Sequence, residues 1–563
     1  MPDRMPVPHS GTARRPAPAD RPGRRAAPED ASRAALGVAT GRGGALAAVF
    51  LALLGLLPAA AQAPSSTPAS EGGEAARCAA LAGMRIDDTN LLSATAVPAT
   101  GDLPAHCRVL GYVRPAINFE LRLPLAGWNG KFYMTGCGGY CGKVLGDAPG
   151  FTNALNYGLR RGYAAATTDS GHWGTGSTDG RWAWNNRLAE IDWGTRAVPE
   201  VTRVSKLLVN ALYERPAAKS YFAGCSTGGR QALMEAQRFP DDFDGIIAGS
   251  PALDYTGLVA TAMAWTTRAN AGPDGRRLFD PAHVPLVQKA VAEACDGADG
   301  LKDGLVSDPR HCGFDPAKLQ CAAGQNGPDC LGEAEVGVLK AWYAPPRNSR
   351  GESLYPGGIP LGSEPFWPVW LAGTAATPPL NPLFNRDFLR YMAFAEDPGE
   401  SYDPLTFDFD RDPPRLAAMG ALYNAASPDL ARFRARGGKL IVYHGWADAI
   451  VTPERTVQWF EAASAAAGRD AMAGTARLFM LPGFDHCGLS NAGPGIDQNG
   501  FDPLGALEAW VERGEAPAQL ATTKTATGGQ RLWSRPACPW PQVPRHDGKG
   551  SVAEAASFAC ADP

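Results

Sequence analysis

Gly224-Cys225-Ser226-Thr227-Gly228 sets a serine among small residues, the G-x-S-x-G pattern in which a sharp strand-to-helix turn lifts a hydroxyl clear of its surroundings. The pattern alone says little: with 66 glycines in 563 residues, chance supplies about 0.3 such matches. A serine hydroxyl is a poor nucleophile near neutral pH and needs an adjacent base, itself oriented by a carboxylate. His486, in Gly483-Phe-Asp-His-Cys-Gly488, is the expected base, and Asp448, in His444-Gly-Trp-Ala-Asp448, the expected acid. His444 competes as base, but its place between an apolar run and a glycine reads as a packed structural histidine. Asp485 competes as acid, yet a neighbour on the same loop rarely reaches the far nitrogen of the His486 ring.

Two cysteines sharpen this. Cys225 directly precedes the serine and Cys487 directly follows the histidine. A disulfide sets its Cα atoms about 6 Å apart and adjacent Cα atoms are about 3.8 Å apart, so a Cys225–Cys487 bond brings Ser226 and His486 within about 13 Å. For the oxyanion, the Thr227 amide is the expected first donor and Gly138, in Gly136-Cys137-Gly138-Gly139, the expected second. Cys137 and Cys141 could close a small bridge there; without a second pair they make a poor zinc site.

The elements that must hold these groups follow from apolar runs alternating with helical stretches, the mark of a mostly parallel α/β sheet. Strands are expected at 131–134, 163–168, 221–223, 246–248, 439–443 and 477–481, with helices at 198–213, 228–238, 454–467 and 503–513. Ser226 thus lies between a strand and a helix, and Asp448 and His486 follow strands. From 254 to 427 the alternation stops in favour of Pro, Gly, four cysteines and aromatic clusters. This stretch reads as an inserted lid domain between two parts of a catalytic domain, 64–253 and 428–563.

A second constellation lies in the insertion. Cys295-Asp-Gly-Ala-Asp-Gly-Leu-Lys-Asp-Gly304 places Asp296, Asp299 and Asp303 in a glycine-rich loop. Three converging carboxylates favour a hard cation, calcium rather than zinc, with the backbone carbonyls of Leu301 and Leu305 completing the shell. A solvated Asp-Gly turn explains the spacing equally well, and no Glu at the twelfth position makes it an EF-hand.

Lys and Arg number 53 against 57 Asp and Glu, a net charge of -4, so nothing favours a nucleic-acid backbone as partner. Twelve cysteines point to an oxidising compartment. Residues 1–63 carry eight Arg and four acids, and Gly44–Leu57 is an uncharged run ahead of Ala61-Gln62-Ala63. This reads as a signal peptide cleaved after Ala63, because fourteen helical residues span about 21 Å against a hydrocarbon core of about 30 Å. A periplasmic or secreted protein of net charge -8, with no membrane association after cleavage, is the expectation.

Gly224-Cys-Ser-Thr-Gly-Gly-Arg230, His444-Gly-Trp-Ala-Asp448, Asp485-His-Cys-Gly488 and the Asp-Gly run from Cys295 together resemble the tannase and feruloyl esterase family of secreted α/β-hydrolases, which includes mono(hydroxyethyl) terephthalate hydrolases. The order Ser226, Asp448, His486 is the one these hydrolases use. The resemblance implies an α/β-hydrolase sheet with a large inserted lid, a structural calcium in the lid, no catalytic cofactor, and hydrolysis of aromatic carboxylic esters of feruloyl or galloyl type. It also implies the Cys225–Cys487 bond and the pairs Cys78–Cys107, Cys295–Cys312, Cys321–Cys330 and Cys538–Cys560, leaving Cys137 and Cys141 over. Candidates for an apolar acyl slot are Trp265, Trp367, Arg390, Tyr391 and Phe394, although such aromatics more often form the lid's own core. A terephthalate monoester hydrolase, a peptidase or acyltransferase, and a non-catalytic binding protein on the same fold are the competing readings.

Overall fold

The apolar runs become strands of one nine-stranded sheet in a computed structural model that describes residues 71–144, 146, 154–325, 327–490 and 492–563. The signal peptide expected within residues 1–63 lies outside them. The strands are β1 (Thr89–Val97), β2 (His106–Val113), β3 (Ile117–Pro124), β4 (Lys131–Thr135), β5 (Ala164–Thr168), β6 (Lys219–Cys225), β7 (Gly245–Gly249), β8 (Lys439–Gly445) and β9 (Ala476–Leu481). Their order is β1-β2-β3-β5-β4-β6-β7-β8-β9. From β5 to β9 every pairing is parallel, whereas β1, β2 and β3 form an antiparallel meander that joins β5 antiparallel. This is an α/β-hydrolase sheet.

Alternate residues of a strand face opposite sides, and both sides of this sheet are covered. Phe132, Met134, Phe222, Leu440 and Val442 share one core with α1 (Ala197–Tyr213). Tyr133, Tyr221, Ala223, Ile441 and Tyr443 face the other way. Such strands are apolar throughout, as parallel strands with both faces buried are. The helix that follows β6 is α2 (Thr227–Arg238); further on come α3 (Leu380–Tyr391), α4 (Glu454–Ala467) and α5 (Pro503–Arg513). Leu504, Leu507 and Trp510 of α5 pack on the second face.

Between β7 and β8 the described residues hold helices and isolated bridges but no strand of the sheet. Their apolar side chains, among them Trp342, Trp367, Phe388 and Phe394, form a core that also takes in Tyr140, Trp193 and Ile450. The described residues form one compact unit. Beyond α5 lie two hairpins with no counterpart in the expected elements: β10 (Leu520–Thr525) with β11 (Arg531–Ala537), and β12 (Val543–His546) with β13 (Phe558–Ala561).

All twelve cysteines are paired: 78–107, 137–141, 225–487, 295–312, 321–330 and 538–560. The pair left over by the family scheme, Cys137 and Cys141, is therefore bonded to itself. Among the described residues no helix is long and apolar enough to cross a membrane.

Candidate active site

Ser226 sits where β6 turns into α2, with φ 64° and ψ -122°, a backbone region that costs a non-glycine residue about 1–3 kcal/mol. The turn closes because its neighbours lack side chains. A Cβ on Gly224 would lie 2.5 Å from the Gly228 carbonyl carbon, and one on Gly229 would lie 2.3 Å from the Gly249 oxygen. The Ser226 amide donates to Gly249 O at 3.0 Å, and Ser226 O accepts from the amides of Arg230 (3.0 Å) and Ala252 (3.2 Å). Arg230, fully buried, donates to the carbonyls of Trp193, Gly194 and Tyr423; burial pushes its guanidinium down to about 10.

Asp448 follows β8 and is fully buried. Its Oδ1 accepts the amides of Ile450 (3.1 Å) and Val451 (2.9 Å), and its Oδ2 meets His486 Nδ1 at 2.7 Å. Burial alone would raise this carboxyl, but His486 and His444 outweigh it and hold Asp448 well below the usual carboxylate range. His486 follows β9 in a short turn, and the next residue, Cys487, holds φ 59°. The Cys225–Cys487 bond spans 262 residues with Cα atoms 6.0 Å apart, tying the serine turn to the histidine turn. His444 is fully buried, with Nδ1 2.9 Å from Thr456 Oγ1 and Nε2 2.7 Å from Val451 O. Its Nε2 also lies 3.2 Å from Asp448 Oδ2, so the ring braces that carboxylate, and His444 does not border the cavity described below. Asp485 Oδ2 accepts the Ser490 amide instead of reaching the His486 ring; burial and the Asp448 charge push its carboxyl far up.

Ser226, Thr227, Gly138 and His486 all border one cavity of about 350 Å³, a size suited to a small ligand. Thr227 is the first residue of α2, so its amide has no partner within the helix. Its Oγ1 donates to Gly139 O at 2.6 Å, seating the glycine loop against the serine turn. The walls are Leu258, Val259, Met263, Trp370, Leu380 and Phe384, with Tyr255, Ser177, Leu489 and Gln498 adding to the lining. Trp370 meets the His486 ring edge to face, centroids 5.4 Å apart. Among the described residues bordering the cavity there is no Lys or Arg.

None of the five expected substrate contacts borders this cavity. Trp265 donates its indole N–H to Ala341 O, and Trp367 is fully buried and bonded to Ser363. Arg390 donates to Tyr402 O, while Tyr391 and Phe394 are buried in the insertion's core. They hold the insertion together. Leu380 and Phe384 do face the cavity, four residues apart on α3 and so on one helical stripe. That spacing was visible in the sequence; which stripe of α3 faces the serine was not.

The Asp-Gly loop offers oxygen donors of the kind calcium takes, and each of its three aspartates is bonded within the protein. Asp296 Oδ1 accepts the amides of Asp303 and Gly304, Asp299 binds the Leu301 amide and Ser307 Oγ, and Asp303 Oδ1 takes the Leu305 amide. Asp303 Oδ2 lies 2.8 Å from Arg535 Nη1, reaching in from β11. Among the described residues no three acidic, His or Cys side chains converge to hold a metal.

Residues 100–561 match the family described as tannase and feruloyl esterase. An uncharacterized esterase of Xanthomonas campestris pv. campestris is 35% identical over 544 residues, covering 86% of this chain and 91% of the relative. A mono(2-hydroxyethyl) terephthalate hydrolase of Piscinibacter sakaiensis is 36% identical, covering 83% and 87%. Among solved structures, feruloyl esterase B from Aspergillus oryzae superposes with a TM-score of 0.74 at 28% identity, over 87% of this chain and all of that one. This chain belongs to the tannase and feruloyl esterase family and is a carboxylic ester hydrolase.

Proposed function

We propose that the protein is a secreted serine esterase that hydrolyses esters of uncharged aromatic acids, of feruloyl or galloyl type, through an acyl-enzyme. Ser226 attacks the ester carbonyl while His486 takes its proton and then delivers it to the leaving alcohol. Asp448 holds the imidazole with its Nδ1 proton inward, and the amides of Thr227 and Gly138 receive the oxyanion. Water, activated by the same histidine, then releases the acid. The observation that carries this reading is the 2.7 Å contact between His486 and Asp448, at the edge of the apolar cavity onto which Ser226 opens.

The same cavity bears on the acyl group. A terephthalate monoester, the substrate named for the Piscinibacter relative, carries a free carboxylate. Burying that charge without a cation costs several kcal/mol, and no Lys or Arg borders this cavity among the described residues. Neutral phenolic acyl groups meet no such penalty. Six disulfides support an oxidising compartment, and with it export by the 1–63 segment. A structural calcium in the 296–305 loop is part of the proposal, with Asp303 exchanging Arg535 for the ion.

Two measurements test it. Fluorophosphonate should label the protein at Ser226 and fail to label Ser226→Ala; an active, unlabelled protein would remove the serine mechanism. Methyl ferulate or methyl gallate should be cleaved with kcat/KM at least about 100-fold above mono(2-hydroxyethyl) terephthalate, since about 2.7 kcal/mol of unpaired charge suffices for that ratio. Equal rates would refute the preference for neutral acyl groups.

A further inference from the structure

We propose that the Cys137–Cys141 disulfide and the Gln231 side chain are positioning elements for ester hydrolysis, together fixing the Gly138 amide where the oxyanion forms; the inference rests on the serine-esterase reading above. The loop after β4 is held in a conformation that one of its residues, Cys141, disfavours. Gly139, Cys141 and Gly142 all have positive φ, at 58°, 65° and 83°, and Cys141 has a Cβ that disfavours this. The turn is closed twice: the Cys141 amide donates to Gly138 O at 3.0 Å, and the disulfide joins its ends with Cα atoms 5.4 Å apart. Its closed ring encloses Gly138, the expected donor.

Gln231 fastens this ring to the helix that carries the serine. It is buried on α2, five residues after Ser226, and its Oε1 accepts the Cys137 amide at 3.2 Å. Its Nε2 donates to Ser170 Oγ at 3.0 Å, and that hydroxyl lies 3.2 Å from Cys137 Sγ. Gly136 allows the close approach, because a Cβ there would sit 2.6 Å from Gly228 Cα and 2.8 Å from Gln231 Oε1. Nucleophile and donor loop are thus referenced to one helix. A bond between residues four apart removes little unfolded-state freedom compared with one closing a long loop. Its effect is local. An oxyanion donor is effective only when its place is fixed before the charge develops.

The test compares Cys137→Ser/Cys141→Ser and Gln231→Met with wild type on a nitrophenyl ester. An aryl trifluoromethyl ketone, which Ser226 would convert to a tetrahedral oxyanion, and the corresponding aryl amide serve as competing ligands. Each variant should lose about 10- to 100-fold in kcat with KM within about threefold. Ketone affinity should fall in parallel with kcat while amide affinity holds. Gln231→Met leaves all six disulfides in place and carries the test if the double variant does not fold. Unchanged kcat in the folded variants, or equal losses for ketone and amide, would overturn the proposal. If Ser226→Ala still hydrolyses the ester, the serine reading has failed; if that variant is inactive and the loop variants are fully active, only this inference has.

Discussion

Replacing Cys225 and Cys487 together by alanine separates what their bond does for the fold from what it does for the site. The bond closes 262 residues, for which the chain-entropy relation gives about -19 cal/mol/K, or about 5.5 kcal/mol at 25 °C. Unfolding entropy near 2.1 cal/mol/K per residue, over roughly 490 residues, amounts to about 1 kcal/mol/K, so the melting temperature should fall by about 5 °C. The local effect is separate. Cys487 holds φ 59°, and without the bond its turn is free to relax toward negative φ, carrying His486 with it. A displacement of about 1 Å at the base costs roughly 100-fold in rate. Scanning calorimetry and kcat on a nitrophenyl ester at 25 °C, far below the transition, measure the two effects. A melting temperature about 5 °C lower with kcat within twofold of wild type would refute the reasoning that the bond sets catalytic geometry.

Asp448→Asn should keep the fold and lower kcat by about 10⁴, because the amide would present a donor to His486 Nδ1 and favour the wrong tautomer; a loss under tenfold would show that another group orients the ring. Burial pushes the Glu364 carboxyl up to about 7, so it binds a proton in the fold that it releases on unfolding. Its stabilisation is complete below about pH 4.5 and is lost as pH rises toward 7, about 3 kcal/mol in all. Urea unfolding at pH 4.5 and 7.5 should show that much less pH dependence in Glu364→Gln, which keeps an acceptor for Tyr343; an equal fall in both proteins would contradict it. Arg535 lies 2.8 Å from Asp303 Oδ2, the oxygen that the proposed calcium ion would take, so calcium should raise the melting temperature more, relative to chelator, in Arg535→Gln than in wild type. Equal shifts in the two proteins would count against that exchange.

The short-range features were legible because local rules create them. A strand, two glycines and a helix produce the Ser226 turn from seven consecutive residues, and α4 and α5 run over the residues that their apolar spacing and flanking prolines predict. The antiparallel β1, β2 and β3 were missed: Thr89–Val97 mixes exposed and half-buried positions, His106–Val113 mixes exposed and buried ones, and Ile117–Pro124 carries Asn118, Glu120 and Arg122, so all three lack the continuous apolar runs that mark the parallel strands. The two C-terminal hairpins were missed for the same reason.

Residue identity was enough to nominate Ser226, Asp448 and His486, and the cysteines beside two of them tie their distant segments together, since a covalent bond is a distance. The walls of the cavity were beyond the sequence. Trp367, Tyr391 and Phe394 are as aromatic as Trp370 and Phe384, and each lies no more than ten residues from one of them; only packing turns the first three into the insertion's core and the last two toward the serine. Composition states how much apolar surface must be buried. Which helix stripe meets which neighbour depends on contacts among segments a hundred residues apart, and the tertiary structure alone supplies those.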